Sequence, residues 1–125
     1  MYTISEAAEL LGLSTHTLRY YEKEKIIETD RTAGGDRIYT ENQLAWLRFV
    51  VKLKQTQMPL AQIREYTNLF LEGEHTANAR LKLLENHRKS IHHQVKTLEA
   101  TEKMLDDKIT AYKESINKNK IINKQ

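Results

Sequence analysis

Apolar positions recur every three or four residues near the start of the chain, which is the spacing of amphipathic helices. The first helix is predicted over Ile4–Leu11, between a capping box that begins at Thr3 and a helix-ending Gly12. Ser14 is placed to cap a second helix, which runs to about Lys23. Two short helices joined by a tight turn predict a helix-turn-helix motif.

The pattern then changes to short apolar pairs around a turn. Ile26-Ile27 and Ile38-Tyr39 flank the turn residues Gly34-Gly35-Asp36, which predicts a short β-hairpin. Arg31 and Arg37 lie on either side of its tip. A hairpin of this kind, directly after the second helix, is interpreted as a wing that lies along a phosphate backbone.

Helical spacing returns after the hairpin. Thr40 begins a second capping box, which opens a helix that is apolar on nearly all sides and contains Trp46. Pro59 is expected in the first turn of a fourth helix that ends at Gly73. The predicted class is therefore mostly α, with a winged helix-turn-helix head of four helices and a β-hairpin over residues 1–72.

A seven-residue repeat dominates the rest of the chain. Residues 77–116 contain no Gly or Pro, and apolar side chains recur at coiled-coil spacing. Residues 76–116 are predicted to form a long helix that pairs with a second copy, with folding back onto its own head as the alternative. Residues 117–125 are interpreted as a basic, flexible tail. The predicted dimerisation residues are Leu84, Ile91, Val95, Leu98, Leu105, Ile109 and Tyr112; Ile116 continues this stripe, which Arg88 and Glu102 interrupt.

Composition narrows the function classes without identifying one. The chain lacks cysteine, so disulfides and thiolate chemistry are excluded, and it has no long apolar run or signal peptide, so a cytoplasmic protein without a membrane partner is expected. The net charge of +3 arises from the last 13 residues. Residues 1–58 carry eight basic and eight acidic side chains, and residues 59–112 again carry eight of each. DNA affinity must therefore come from local placement of charge. The basic residues Arg19, Lys23, Arg31 and Arg37 are expected to share one face, with the acidic residues Glu22, Glu24, Glu28 and Asp30 pointing elsewhere.

Small polar and then basic residues in the second helix are typical of a helix that enters the major groove. Tyr21 is expected to pack in the core while Tyr20 reaches the DNA backbone. Strand packing is the alternative role for Tyr39. The candidate DNA-binding residues are Ser14, Thr15, His16, Thr17, Arg19, Tyr20, Lys23, Arg31, Arg37 and Tyr39.

The segments LRYYE, GGDRIY and QMPLAQI together resemble the MerR family of bacterial transcription regulators, in register over roughly the first 70 residues. The resemblance implies DNA contacts by Arg19 and Tyr20, phosphate contacts by Arg37 and Tyr39, and bracing or DNA contact by Arg31. It also implies a homodimer joined by an antiparallel coiled coil. Such a dimer binds a palindromic promoter operator and distorts it, and thereby acts indirectly on RNA polymerase.

Within that family the chain is similar to a short-bodied subgroup without a separate effector domain. Lys52 occupies the position of the sensor cysteine found in some members, so thiol sensing is excluded. An ordinary surface lysine is expected there, with an aldehyde-trapping amine as the alternative. Tyr66, Phe70 and Trp46 either line a small pocket between the head and the long helix or pack in the core. The effector, and the choice between activation and repression, are left open.

The sequence contains no catalytic constellation, no metal-ligand spacing and no phosphate-binding glycine loop, so no enzyme, cofactor or metal is expected. The alternative function is a coiled-coil interaction or architectural protein with a degenerate DNA-binding head. Loss of basic residues from the second helix and wing would be its signature. The presence of Arg19, Lys23, Arg31 and Arg37 favours a sequence-specific regulator that binds double-stranded promoter DNA.

Overall fold

The structure is a computed structural model that describes residues 1–124, with side chains described through residue 120. The chain divides into two compact units, a head unit (Met1–Glu85) and a second unit that begins at Asn86. The elements are β1 (Tyr2–Thr3), α1 (Ile4–Leu11), α2 (Thr15–Lys23), β2 (Asp30–Arg31), β3 (Arg37–Tyr39), α3 (Glu41–Gln55), α4 (Leu60–Glu72), a 3-10 helix (Glu74–Thr76) and α5 (Ala77–Lys124).

Local capping fixes the positions of α1 and α2. The Thr3 hydroxyl accepts from the Glu6 amide at 3.1 Å, and the Glu6 carboxylate accepts from the Thr3 amide at 3.0 Å. Gly12 ends α1 with a φ of +68°, a left-handed conformation that glycine adopts without strain. The Ser14 hydroxyl then accepts from the Thr17 amide at 3.0 Å and starts α2. The predicted helix-turn-helix is confirmed.

The sheet differs from the predicted hairpin. Its first hairpin strand is β2 rather than the pair Ile26-Ile27, which is buried in the core between α2 and β2. A third strand, β1, pairs with β3 so that Tyr2 lies opposite Tyr39, giving the order β1-β3-β2. Apolar character alone suggested strand residues at 26–27, but burial in the core also requires apolar side chains.

One core holds the head unit together. Apolar side chains from α1, α2, β3, α3 and α4 converge in it, and each large side chain removed from water contributes about 1.5–3 kcal/mol relative to exposure. This burial sets the orientation of α2, because its inward residues Leu18 and Tyr21 belong to the core. The fully buried large side chains are Tyr39, Leu18, Ile26, Leu44, Leu47, Met58, Ile63 and Val50.

One of the later helix junctions differs slightly from expectation. The capping box at Thr40 is present as predicted, with Gln43 as the reciprocal residue. Pro59 is the residue that precedes α4 rather than part of its first turn, since its ψ of 141° is extended. After Gly73 the Thr76 hydroxyl donates to the Leu69 carbonyl at 2.6 Å, which holds the 3-10 turn against the end of α4.

Helix α5 is continuous from Ala77 to Lys124, which confirms the long C-terminal helix. The helix passes residue 116 without interruption, so the backbone of the predicted tail is helical as far as it is described. Gln125 lies outside the described residues. The head unit also extends beyond residue 72, through the 3-10 turn into the start of α5, and the predicted domain limits remain predictions.

Candidate nucleic-acid interface

Helix α2 presents a polar face to solvent. Tyr20 is 41% exposed while its neighbour Tyr21 is 8% exposed, as the predicted division of roles requires. Side chains spaced by three or four residues share one side of a helix, so the accessible groups form a continuous patch. We call this patch the recognition face; its members are His16, Arg19, Tyr20 and Lys23.

The first turn of α2 is ordered by its own hydroxyl groups. The side-chain oxygens of Ser14 and Thr17 share a hydrogen bond of 2.9 Å. An Arg19 guanidinium nitrogen lies 3.4 Å from the Thr15 hydroxyl, which places the arginine along the helix surface. Thr15 and Thr17 are half-buried, so His16 is the most accessible side chain of this turn other than the cap.

The wing carries its two arginines opposite each other. Arg31 on β2 and Arg37 on β3 are cross-strand partners. The tip is closed by a hydrogen bond of 2.8 Å from the Thr32 amide to the Asp36 carbonyl, and Gly35 adopts a φ of +87° there. Like charges directly opposite on two strands destabilise a hairpin unless a counter-charge lies between them.

Glu22 of α2 supplies that counter-charge. One carboxylate oxygen accepts from an Arg31 guanidinium nitrogen at 2.8 Å, and the other accepts a short hydrogen bond from Arg37 Nε. We call this three-residue contact the Glu22 clamp. It joins α2 to both strands of the wing, β2 and β3, and it corrects the expectation that Glu22 points away from the basic residues.

Partial burial raises the pKa of Glu22, but the hydrogen bond from Arg37 and the charges of Arg37 and Arg31 outweigh that effect, and the net pKa lies below 4.5. A lowered folded-state pKa means that the clamp stabilises the fold above the ordinary value of 4.5. Its contribution is lost as the pH falls through the lowered value. The clamp is therefore fully charged near neutral pH.

Tyr39 is not available as a surface contact. Its side chain is 0% exposed and its hydroxyl has no hydrogen-bond partner among the described residues. Burial, followed by the negative charge of Glu22, raises the pKa of this hydroxyl. The structure supports the strand-packing alternative, because β3 lies between β1 and β2 and turns Tyr39 into the core.

Helix α4 holds the far end of α2. Arg64 donates from Nε to the Glu24 carbonyl at 2.9 Å and from a terminal nitrogen to the Glu24 carboxylate at 2.5 Å. Positive charge at a helix C-terminus is favourable, since the last carbonyl groups carry partial negative charge. Neither Glu22 nor Arg64 was expected from the sequence to have a structural role at this site. The four-residue spacing from buried Leu18 to Glu22 was the available signal for the inward side of α2.

The predicted dimerisation residues form a line along α5. Leu84 and Ile91 are half-buried in the single chain. The later members are exposed, as are the interrupting residues Arg88 and Glu102. The exposed members of the stripe are Val95, Leu98, Leu105, Ile109, Tyr112 and Ile116.

Three further features concern the part of the chain that the structure describes: metal binding, the lysine at position 52 and membrane insertion. No three His, Asp or Glu side chains converge there as metal ligands. Lys52 is an exposed residue of α3, beside a shallow depression that Leu10 also lines. None of the described helices is both long and apolar enough to span a bilayer.

Comparison with known proteins identifies clear relatives. Residues 2–69 match the family described as MerR HTH family regulatory protein, and residues 44–108 match the family MerR, DNA binding. An uncharacterised HTH-type transcriptional regulator of Haemophilus influenzae is 34% identical over 91% of this chain and 85% of its own length. The Escherichia coli regulator ZntR is 40% identical over 60% of this chain, which spans only 54% of ZntR.

A solved structure has the same fold. It is HiNmlR, a MerR family regulator that lacks the sensor domain and was crystallised bound to promoter DNA. The alignment covers 90% of both chains at 34% identity, with a TM-score of 0.84.

Proposed function

Because the chain belongs to the MerR family of DNA-binding transcription regulators, we propose that it binds a palindromic promoter operator as a homodimer and distorts that operator to control transcription. The observation that carries the proposal is the recognition face beside an arginine-bearing wing, joined to it by the Glu22 clamp. RNA polymerase is affected indirectly, through the altered geometry of the promoter. A regulator of this kind acts in the bacterial cytoplasm, where the promoter is.

In this proposal α2 enters the major groove. His16 and Arg19 reach base edges, and Tyr20 and Lys23 contact nearby phosphates. Arg31 and Arg37 contact the backbone from the wing, and Ser14, Thr15 and Thr17 order the first turn of α2. Tyr39 supports the wing from inside and does not touch DNA.

The homodimer follows from the exposed apolar stripe of α5. Apolar side chains at 95, 98, 105 and 109 are exposed in the single chain, and a second copy of the same helix offers a matching stripe. We propose antiparallel pairing, which presents two heads to successive turns of one DNA face. A two-fold symmetric protein predicts a palindromic operator.

The interaction-protein alternative is less well supported. It predicts loss of accessible basic side chains from α2 and the wing, yet Arg19, Lys23 and Arg31 are all exposed. The relatives are also named as transcriptional regulators.

A footprint tests the proposed function directly. The purified protein, at physiological salt with excess competitor DNA, is expected to protect a palindrome in the promoter upstream of its own gene, with enhanced cleavage at the centre where the duplex is distorted. A genome-wide pull-down extends the search to distant operators. No protected or captured sequence by either method would contradict sequence-specific regulation.

The Glu22 clamp yields a second prediction. Glu22→Gln removes the counter-charge and keeps the size of the side chain, so Arg31 and Arg37 interact more strongly with any DNA backbone. We expect tighter binding to scrambled DNA, a salt dependence of log K steeper by about one unit, and a smaller ratio of operator to scrambled affinity. Anisotropy titrations on both DNAs over a salt series measure all three.

Glu28→Gln is the matched control, because the exposed Glu28 side chain forms no ion pair among the described residues and lies outside the clamp. It changes net charge by the same amount. An identical affinity ratio and salt slope for Glu22→Gln and Glu28→Gln would show that the clamp has no specific role.

A further inference from the structure

A large open cavity lies in the head unit, away from the recognition face. Its volume is about 1050 Å³. Its walls come from α3, from α4 and from residues 25–29, which connect α2 to β2. Cavities of roughly 300–1000 Å³ with mostly apolar walls are typical of small-molecule sites. The cavity is therefore wide enough for a ligand of several fused rings.

Aromatic side chains form one wall. The Trp46 and Tyr66 rings are stacked, with centroids 5.7 Å apart and an interplanar angle of 12°, and Phe49 packs beside Trp46 at 5.9 Å. The indole nitrogen of Trp46 donates to the Ile26 carbonyl at 2.8 Å, which fixes the ring in place. Phe70 and Leu71 line the mouth and are 57% and 68% exposed. Such a wall favours a flat, apolar ligand.

Three solvent-exposed polar side chains line the same cavity. The side chains of Glu28, Asn42 and Asn68 make no hydrogen bond or ion pair among the described residues. An apolar helix laid over the cavity would bury these groups unsatisfied, which is costly. A small molecule with both a flat ring system and a hydrogen-bonding substituent satisfies both kinds of wall.

We propose that this cavity binds a planar aromatic molecule that carries a hydrogen-bonding group, and that its occupancy is coupled to DNA binding. The coupling rests on the proposed function, because the cavity wall contains Glu22 and the segment between recognition helix and wing. Lys25 in that segment has a φ of +62°, a left-handed conformation that is strained for a residue other than glycine. A ligand that shifts this segment moves α2 and β2 relative to each other.

The test uses the full-length chain and 2-naphthamide as probe, with cyclohexanecarboxamide as the non-planar control. Trp46 is the only tryptophan of the chain, so a single indole N–H resonance reports on the cavity. We expect saturable shifts of that resonance with a dissociation constant of about 1 mM or tighter, and none with the control. Leu71→Gln should weaken binding about tenfold, whereas Leu10→Gln, an exposed apolar residue outside this cavity, should not.

Several outcomes overturn the proposal. Absent shifts, equal binding of the two amides, or undiminished binding by Leu71→Gln would each do so. If the Trp46 indole is shielded from acrylamide in the native protein and accessible in a dissociated variant, a second copy fills the cavity instead.

The coupling between cavity occupancy and DNA binding is tested through linkage. If the cavity ligand changes the affinity for DNA, then DNA must change the affinity for the cavity ligand by the same factor. Operator DNA should change the 2-naphthamide dissociation constant by about fivefold or more, and an unchanged value would overturn the coupling. Operator binding by the unliganded protein is measured separately. If the protein binds operator DNA but not 2-naphthamide, this inference is rejected and the proposed function stands. If the protein does not bind operator DNA, the proposed function is rejected.

Discussion

Leu105→Lys is expected to dissociate the proposed homodimer and to weaken operator binding by about 100-fold or more. Leu105 lies in the stripe of α5 and is 58% exposed in the single chain, so its substitution removes little packing within that chain. Lysine is a good helix former, and α5 should remain helical. In a dimer, however, two lysines would enter the apolar seam without partners, which is strongly unfavourable.

The loss of DNA affinity follows from the loss of bivalency. Two joined heads bind two half-sites with an effective concentration that separate heads lack, and this difference amounts to about 10²–10⁴ in affinity. The added positive charge of lysine favours DNA binding, so electrostatic repulsion from the phosphates cannot account for a loss. The effect therefore reports on assembly alone.

Ala100→Lys is the matched control, since Ala100 lies on the side of the helix away from the stripe and is exposed. Light scattering gives the oligomeric state of both variants, circular dichroism their helicity, and anisotropy their operator affinity. If Leu105→Lys stays dimeric at micromolar concentration, then this stripe is not the dimer interface.

Arg19→Ala should weaken operator binding by about 1–3 kcal/mol, which is about fivefold to 150-fold, and reduce discrimination between sequences. The side chain is exposed and lies 3.4 Å from the Thr15 hydroxyl on the surface of α2, so removing it leaves the core intact. An arginine that pairs with a guanine edge through two hydrogen bonds carries sequence information, which a single phosphate contact does not.

Lys23→Ala provides the contrast within the same helix. If Lys23 contacts phosphate, its removal weakens operator and scrambled DNA alike and lowers the salt slope by about one. Arg19→Lys separates charge from hydrogen-bond geometry, because lysine keeps the charge and loses the planar fork. An Arg19→Ala variant with unchanged operator discrimination would exclude Arg19 as a base-reading residue.

The Glu22 clamp changes how the wing arginines are understood. Arg37 is half-buried and hydrogen-bonded through Nε, so its orientation is set before DNA arrives. A preorganised side chain loses less conformational entropy on binding. Glu22 therefore offsets part of the positive charge of the wing and fixes its geometry; in the proposed DNA complex we expect this to favour specific over non-specific contacts.

The local elements could be predicted from sequence because their signals are local. The capping boxes at Thr3 and Thr40, the cap at Ser14 and the left-handed Gly12 involve residues three or four positions apart. The outward position of Tyr20 and the inward position of Tyr21 followed from helical spacing. The long helix followed from the heptad repeat and the absence of Gly and Pro.

Long-range contacts could not be predicted in this way. The pairing of β1 with β3, the core position of Ile26-Ile27 and the burial of Tyr39 join residues that are distant in sequence, and no periodicity records which face of a short strand lies inside. The cavity beside Trp46 likewise depends on how α3 and α4 meet.

The sequence by itself determined the family, the helical architecture and the set of basic residues available for DNA, because periodicity, capping and motif spacing are properties of neighbouring residues. The tertiary structure decided which of those residues are free. It joins Arg31 and Arg37 to Glu22, buries Tyr39 and leaves Arg19 and Lys23 exposed. Whether an arginine is accessible to DNA depends on whether an acidic side chain already pairs with it. Glu22 reaches Arg31 and Arg37 only when α2 packs against the wing.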